Sequence, residues 1–522
     1  MNSLPTPPTD DACYLAFKAR DARFDGCFFT GVTSTGIYCR PVCRVRTPKR
    51  ENCRFFAYAA QAEQAGFRPC LRCRPELAPR APALAHSPEF RVWSMQNASS
   101  ILALQAARLL DSPGPCDSGV PVLHQLALRL GVSDRHLRRI FNAQFGVSPL
   151  CYLQTQRLLR AKQLLTDTTL AVTQVAALSG FASVRRFNGA FVQAYGLNPT
   201  ALRLKGVASQ VPAHSGLHNS IHVRLAYRPP YDAQAMIQFF ATHQLNGLDV
   251  VSTAPQDLYL RKTVAVQQGD ARTTGWLEAR FDVERHQLNL RLSDSLRAVV
   301  PEVMEGVRAM FDLDADPQTI NQLLHADFPG GDGLRVPGTL DGFELAVRAV
   351  LGQQITVAAA CTLAARLVSQ FGEPLDTPVA GLNRLFPTPA ALAGASSDAL
   401  GQLGIVRQRQ AAIWGLANAV LTGQLHLHAG ADVPATLACL LALPGIGDWT
   451  AQYIAIRALR WPDAFVAGDV AVQKALGVRY AKHPAKEALA ASLAWRPWRS
   501  YAVIRAWAAA PNALIRTQQE AI

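Results

Sequence analysis

Four cysteines set the first chemical possibility. Cys39 and Cys43 have three residues between them, Cys70 and Cys73 have two, and a long loop separates the pairs. Two close thiol pairs suit one tetrahedral Zn²⁺ with four thiolate ligands. The same spacing also fits a purely structural zinc knuckle. Cys13, Cys27, Cys53 and Cys116 lack paired spacing and read as core or incidental thiols. Basic residues surround the cluster, and Arg40, Arg44, Arg46, Lys49 and Arg72 are candidate phosphate contacts or simply a solvated basic face. A second possibility lies in "LPGIG", which begins at Leu443. Gly445 and Gly447 permit a tight turn whose backbone N–H groups, at a helix N-terminus, can hold a phosphate. Such a grip reads no base sequence. It suits an enzyme that scans DNA, and it also occurs in non-catalytic DNA-binding proteins.

The elements that must position these residues fall into modules. At 522 residues the chain is long enough for several domains, taking about 150 residues for each. Lys and Arg number 52 against 38 Asp and Glu, a formal charge of +14, which favours a polyanionic partner, nucleic acid first and membrane surface second. The N-terminal residues lack the basic and apolar regions of a signal peptide, and no uncharged apolar run is long enough to span a bilayer. A cytoplasmic protein with reduced thiols is expected, so clustered cysteines point to metal or catalysis rather than disulfides.

Three Pro-rich or polar stretches mark linkers: Ala78 to Glu89, Asp111 to Pro121, and Lys205 to Ser220. The expected modules are a cysteine module over 1–80, a helical module over 96–205, a mixed α/β module over 218–300 and a helical module over 301–515. Strand patterning appears in "SIHVRLAY" and "GWLEARFDVERHQLNLRL", and helical periodicity dominates from about Leu296. The helical module contains an internal repeat. An offset of fifty residues aligns Ser133 with Ser183, Arg135 with Arg185, Phe141 with Phe191, Gly146 with Gly196 and Pro149 with Pro199. In each half an apolar helix ends in a short turn, and Ser133 or Ser183 stands where an N-cap opens the next helix.

The segment "FFTGVTSTGIYCRPVCRVRTPKRENCRFFAYAAQAEQAGFRPCLRCRPEL" resembles the N-terminal domain of bacterial Ada adaptive-response proteins over nearly its whole length. The resemblance implies that Cys39 accepts a methyl group from a methylated DNA phosphate. A zinc-bound sulfur stays deprotonated near neutral pH, and a phosphotriester has lost the charge that would repel it. Methylation removes one negative charge from the centre, formally −2 to −1, which strengthens DNA binding. The helical repeat resembles the AraC-type transcription factor module. That likeness implies two recognition helices, offering Asp134, Arg135, His136, Arg138 and Arg139 in the first, and Ser183, Arg185, Arg186 and Asn188 in the second. Promoter DNA and RNA polymerase are the implied partners.

Asp469 follows the hairpin by roughly twenty residues, in "FVAGDVAVQKALG". With "FELAVRAVLGQQIT", "LGIVRQRQAAIWGLA" and "WRPWRSYAVIRAW", this stretch resembles DNA-3-methyladenine glycosylase II, the AlkA family, from about residue 220 to 510. The resemblance implies base flipping, a catalytic Asp469 that stabilises charge on the sugar, and an aromatic pocket of Trp449, Tyr453 and Trp507 for a cationic base. On residues alone, Trp449 and Tyr453 could be ordinary core, and Asp469 an N-cap. Lyase relatives carry lysine where Trp449 stands, so simple hydrolysis is expected. Gln354 occupies the wedge position, where the best-known form of the family has leucine. The whole chain reads as a multidomain α+β protein in which an Ada-like zinc domain and a double helix-turn-helix precede an AlkA-like α/β subdomain and a helix-hairpin-helix domain. It is expected to act on double-stranded DNA as a monomer. No "PCHR" nucleophile motif is present, so alkylguanine repair is not expected. The alternatives are a regulator with a non-catalytic DNA-binding C-terminal half, and a glycosylase with a merely structural zinc domain.

Overall fold

The computed structural model describes residues 9–80, 95–111, 122–206 and 220–509. The three linker stretches lie largely outside the described residues, and Cys116 does so entirely. The chain divides into two compact units, Met1–Pro229 with Glu284–Glu305, and Pro230–Val283 with Gly306–Ile522. Among the described residues no helix is long and apolar enough to cross a membrane.

In the first unit a helix, Asp10–Ala19, precedes a four-stranded sheet. Phe29–Val32 pairs antiparallel with both Ile37–Cys39 and Cys53–Phe56, while Ile37–Cys39 runs parallel to Arg68–Pro69. That parallel register sets Tyr38 against Pro69, so the chain emerges with Cys39 and Cys70 as neighbours. The Cys70 N–H closes the ladder on the Tyr38 carbonyl at 2.9 Å.

The two helix-turn-helix repeats follow. Ser133 caps the helix Asp134–Phe145 by accepting from the His136 N–H at 3.2 Å, and Ser183 caps Val184–Tyr195 by accepting from the Arg186 N–H at 3.3 Å. Gly146 and Gly196 end these helices at φ +66° and +68°, a conformation only glycine adopts cheaply. The "SP" and "NP" pairs that close each repeat in sequence open the next helices: Ser148 and Asn198 each accept a backbone N–H, and Pro149 and Pro199 take the first helical position.

The helix Pro149–Asp167 is the most buried of the repeat, because it also packs on the zinc module. Lys162, almost wholly buried, pairs with Glu76 and donates to the Cys70 carbonyl at 3.2 Å. Arg74 bridges Glu76 at 2.8 Å and Asp167 at 2.6 Å. Glu63 accepts from Tyr38 Oη at 3.0 Å and Thr155 Oγ1 at 2.7 Å. These charges are buried, so each requires its partner. The strands Ser220–Ala226 and Gln287–Ser293 pair antiparallel within this unit.

In the second unit, Asp249–Ala254, Asp257–Gln268 and Ala271–Asp282 form an antiparallel meander. Its buried Lys262 bonds Asp249 at 2.9 Å and Glu344 at 3.0 Å, which ties the sheet to the helix Gly342–Leu351. Two apolar cores organise the helices. One gathers Phe343, Leu367, Ile413 and Ile454; the other gathers Ile320, Phe465, Trp495 and Tyr501.

Two stability predictions follow from the buried charges. Glu76→Gln leaves Lys162 and Arg74 undercompensated and should cost about 3 kcal/mol, read as a lowered urea midpoint of the unit's unfolding. An unchanged midpoint would contradict the pairing. Burial pushes the Glu63 carboxyl up to about 7 against its bonds to Thr155 and Tyr38. The native state therefore holds this proton more tightly than the unfolded chain, whose Glu titrates near ~4.3. Stability from this group is complete below the unfolded value and is lost as pH rises through about 7. Glu63→Gln should flatten the fall in melting temperature between mildly acidic and mildly alkaline buffer; parallel curves would refute this.

Candidate functional site

The four sulfurs of Cys39, Cys43, Cys70 and Cys73 lie within 4.8 Å of one another. Zn–S bonds of about 2.3 Å in a tetrahedron set sulfurs about 3.8 Å apart, a separation compatible with this cluster. This is a Zn²⁺ site. Cys39, Cys43 and Cys70 are buried, while Cys73 is half-buried. Backbone N–H groups reach three of the sulfurs: Arg40 to Cys73 at 3.3 Å, Val45 to Cys43, and Cys73 to Cys70.

The surrounding cations divide. Arg44, Arg46, Lys49 and Arg72 are exposed. Arg40 is corrected: it is 5% exposed, its Nε bonds Asp25 Oδ1 at 2.8 Å, and its Nη1 bonds the Cys73 carbonyl at 3.1 Å. Its guanidinium braces the metal loop from inside and is not offered to a phosphate. No periodic pattern marks this partnership, because Asp25 lies in a separate turn.

The recognition helices present their polar faces outward. Arg135, Arg138, Arg139, Arg185, Arg186 and Asn188 are exposed, and His136 is half-buried and within 3.0 Å of Arg139 Nη2. Ser183 is exposed, with its hydroxyl engaged as the helix cap.

In the second unit "LPGIG" links the helices Val433–Ala442 and Asp448–Arg457. Gly445 takes φ +79°, and a Cβ there would meet the Gln408 carbonyl at 3.1 Å. Gly447 is exposed and caps the second helix.

Asp469 is the N-cap of Val470–Ala475, accepting the Val472 N–H at 3.0 Å through Oδ1. It is also a convergence point. Trp449 Nε1 donates to Oδ2 at 3.0 Å and Trp507 Nε1 to Oδ1 at 3.2 Å. The carboxylate is half-buried and held by three N–H donors. Trp449 and Tyr453 stack at 5.1 Å with planes 11° apart, and Tyr453 approaches Trp507 at 6.2 Å. Tyr453 packs on one apolar core and both tryptophans on the other. These aromatics are therefore core at their backs and site at their faces.

Two residues escaped the sequence reading. Arg457, buried, pairs with the Tyr453 hydroxyl and donates to the Pro337 carbonyl at 2.9 Å; burial lowers its pKa. Its i+4 spacing from Tyr453 was the available signal. Gln353 bonds the hairpin and had no signal. Gln354 itself is exposed at φ +54°, in the turn between Gly342–Leu351 and Val357–Phe371.

Comparison with known proteins matches four family models: the metal binding domain of Ada over residues 12–76, a helix-turn-helix domain over 126–205, the AlkA N-terminal domain over 222–341, and the HhH-GPD superfamily base excision DNA repair protein over 347–500. A Mycobacterium tuberculosis protein described as a probable bifunctional transcriptional activator/DNA repair enzyme AlkA is 35% identical, covering 95% of this chain and 96% of its own. DNA-3-methyladenine glycosylase 2 of Escherichia coli is 36% identical over 54% of this chain and 95% of its own. The Escherichia coli bifunctional transcriptional activator/DNA repair enzyme Ada is 35% identical over 32% of this chain and 42% of its own.

The cluster predicts stoichiometric metal. The full chain should carry one zinc by elemental analysis, and Cys43→Ser should lose most of it. Full zinc retention in that variant would show that the four sulfurs do not act together.

Proposed function

The chain belongs to the family of bifunctional transcriptional activator/DNA repair enzymes of the AlkA type, and on that premise we propose that it pairs methyl acceptance at Cys39 with hydrolytic removal of alkylated bases at Asp469. The observation that carries the excision half is the Asp469 carboxylate, aimed and held by Trp449, Trp507 and the Val472 N–H beside a stacked aromatic face.

An alkylated purine is cationic and already a good leaving group. Once flipped from the stack it lies against Trp449 and Tyr453, whose ring faces attract the cation. As the glycosidic bond breaks, positive charge develops on the sugar, and the Asp469 carboxylate stabilises it. The three N–H donors fix that carboxylate in one orientation, so it need not reorganise during the reaction. Trp449 occupies the position where a lyase would need an amine, which supports hydrolysis without strand cleavage. Gly445 and Gly447 grip a backbone phosphate, and exposed Gln354 enters the gap left by the flipped nucleotide.

Zinc, when bound, keeps sulfur deprotonated near neutral pH. The Cys39 sulfur attacks the methyl carbon of a phosphotriester; the C–O bond breaks, and the phosphate departs as an ordinary diester anion. Cys39 is assigned this role because it stands at the first thiolate of the Ada-type zinc site, and Cys73 already accepts the Arg40 backbone N–H at 3.3 Å. Replacing an anionic sulfur by a neutral thioether then favours phosphate contact by Arg44, Arg46, Lys49 and Arg72. The recognition helices carry this gain to promoter DNA through Arg135, His136, Arg138, Arg139, Ser183, Arg185, Arg186 and Asn188, with RNA polymerase as the responding partner. The chain acts as a cytoplasmic monomer.

Incubation with methylated duplex DNA tests both halves. Free alkylated base should appear by chromatography, and one methyl should be found on the Cys39 peptide by mass spectrometry. Methyl on Cys73 instead would reassign the nucleophile, and no methyl would leave a structural zinc domain. Asp469→Asn should slow base release at least about a hundredfold while keeping duplex binding. Retained excision would sink the catalytic assignment.

A further inference from the structure

The turn that carries Gln354 is strained. A non-glycine residue at φ +54° costs about 1–2 kcal/mol, and such a conformation persists only where its surroundings impose it. The preceding helix ends at Gly352, and the next opens at Thr356, whose hydroxyl accepts the Ala359 N–H at 3.2 Å. Between these ends stands Gln353. Its side-chain amide donates both hydrogens to the hairpin: to the Gly445 carbonyl at 2.9 Å and to Thr450 Oγ1 at 3.0 Å. Its own carbonyl accepts from Arg409 Nη2 at 2.6 Å. Arg409 lies on the helix Arg407–Leu421, against which Gly445 itself packs through Gln408 and Ala412.

We propose that Gln353 is a positioning residue that fixes the wedge turn in register with the phosphate hairpin and the base pocket. The inference rests on the excision reading above. Two of its bonds fall on either side of Trp449: Gly445 belongs to the phosphate grip, and Thr450 follows the tryptophan that holds Asp469. One side chain thus links the residue that fills the duplex, the loop that anchors the strand, and the helix that bears the pocket. The geometry requires a donor with two hydrogens. Glutamate has the same shape and, ionised, has none to offer; its charge would face two acceptor oxygens.

The position of the wedge matters because flipping and anchoring occur on one strand. If the hairpin grips a phosphate while the wedge sits displaced by an ångström, the extrahelical base is not held at Asp469, and misplacement of that order costs up to about a hundredfold in rate. Non-specific binding depends on the phosphate grip and the basic surface, and is indifferent to the wedge.

The test compares full-length wild type, Gln353→Glu, Gln353→Ala, Gln354→Ala and the double variant Gln353→Glu/Gln354→Ala. Three quantities are read on each: single-turnover release of alkylated base, fluorescence of 2-aminopurine beside the lesion as a report of flipping, and affinity for undamaged duplex. Gln353→Ala should lower excision and the flipping signal together by about tenfold, with undamaged-duplex affinity close to wild type; Gln353→Glu, whose charge opposes two acceptor oxygens, should lower both at least as far and also lower the melting temperature. The double variant should be little worse than Gln354→Ala alone, because Gln353 acts through the wedge. Strictly multiplicative losses would overturn the proposal, and so would loss of undamaged-duplex affinity in step with excision. Should Gln353→Glu fail to fold, Gln353→Ala decides by the same readouts. Absence of base release by the wild type would instead strike the excision reading, a result distinguishable from any pattern among the variants.

Discussion

A carboxylate half out of water must have its charge satisfied, and that constraint organises the residues around Asp469 in the second unit. Asp469 meets this with two indole N–H donors and one backbone N–H. An ammonium partner would bind it more strongly and would also compete with the developing sugar cation. Indoles are neutral, so the negative charge stays available. They bring ring faces as well, and the same Trp449 that bonds Asp469 stacks on Tyr453, the face proposed to receive a flat cationic base. One apolar core backs Tyr453 and the other backs the tryptophans.

The first unit solves a related problem with sulfur. Four thiolates cannot share a pocket without a cation, and the parallel pairing that sets Cys39 beside Cys70 assembles the cluster. The buried polar residues around it brace the loops that carry the ligands: Arg40 with Asp25 on one side, Lys162 with Glu76 and the Cys70 carbonyl on the other. Lys162 belongs to the repeat's central helix, so the metal loop and the DNA-reading module are packed as one body.

Much of this was legible in the sequence where a residue type has few structural uses. Cysteine pairs at metal spacing, serines before apolar helices, glycines at helix ends and "LPGIG" each announce a local geometry. Asp469 illustrates the limit: as an N-cap it is readable from its neighbours, whereas its bond to Trp507 spans 38 residues and is accessible only through fold or family likeness. Arg40 illustrates an error of the same origin. An arginine beside a metal ligand in a basic chain suggests a phosphate contact, and nothing local reveals that Asp25 will bury it. Gln353, between a helix end and a wedge, has no pattern of its own because its partners lie on other helices.

On the mechanism proposed, Asp469, fixed by three N–H donors, stabilises cationic character at the sugar as the base leaves. The most direct measurement is the secondary hydrogen isotope effect at C1′ of an alkylated nucleotide, taken with the full-length protein under single-turnover conditions. A large normal effect is expected, since C1′ flattens toward a cation before water adds. An effect close to unity would mean that attack accompanies departure, and would contradict it.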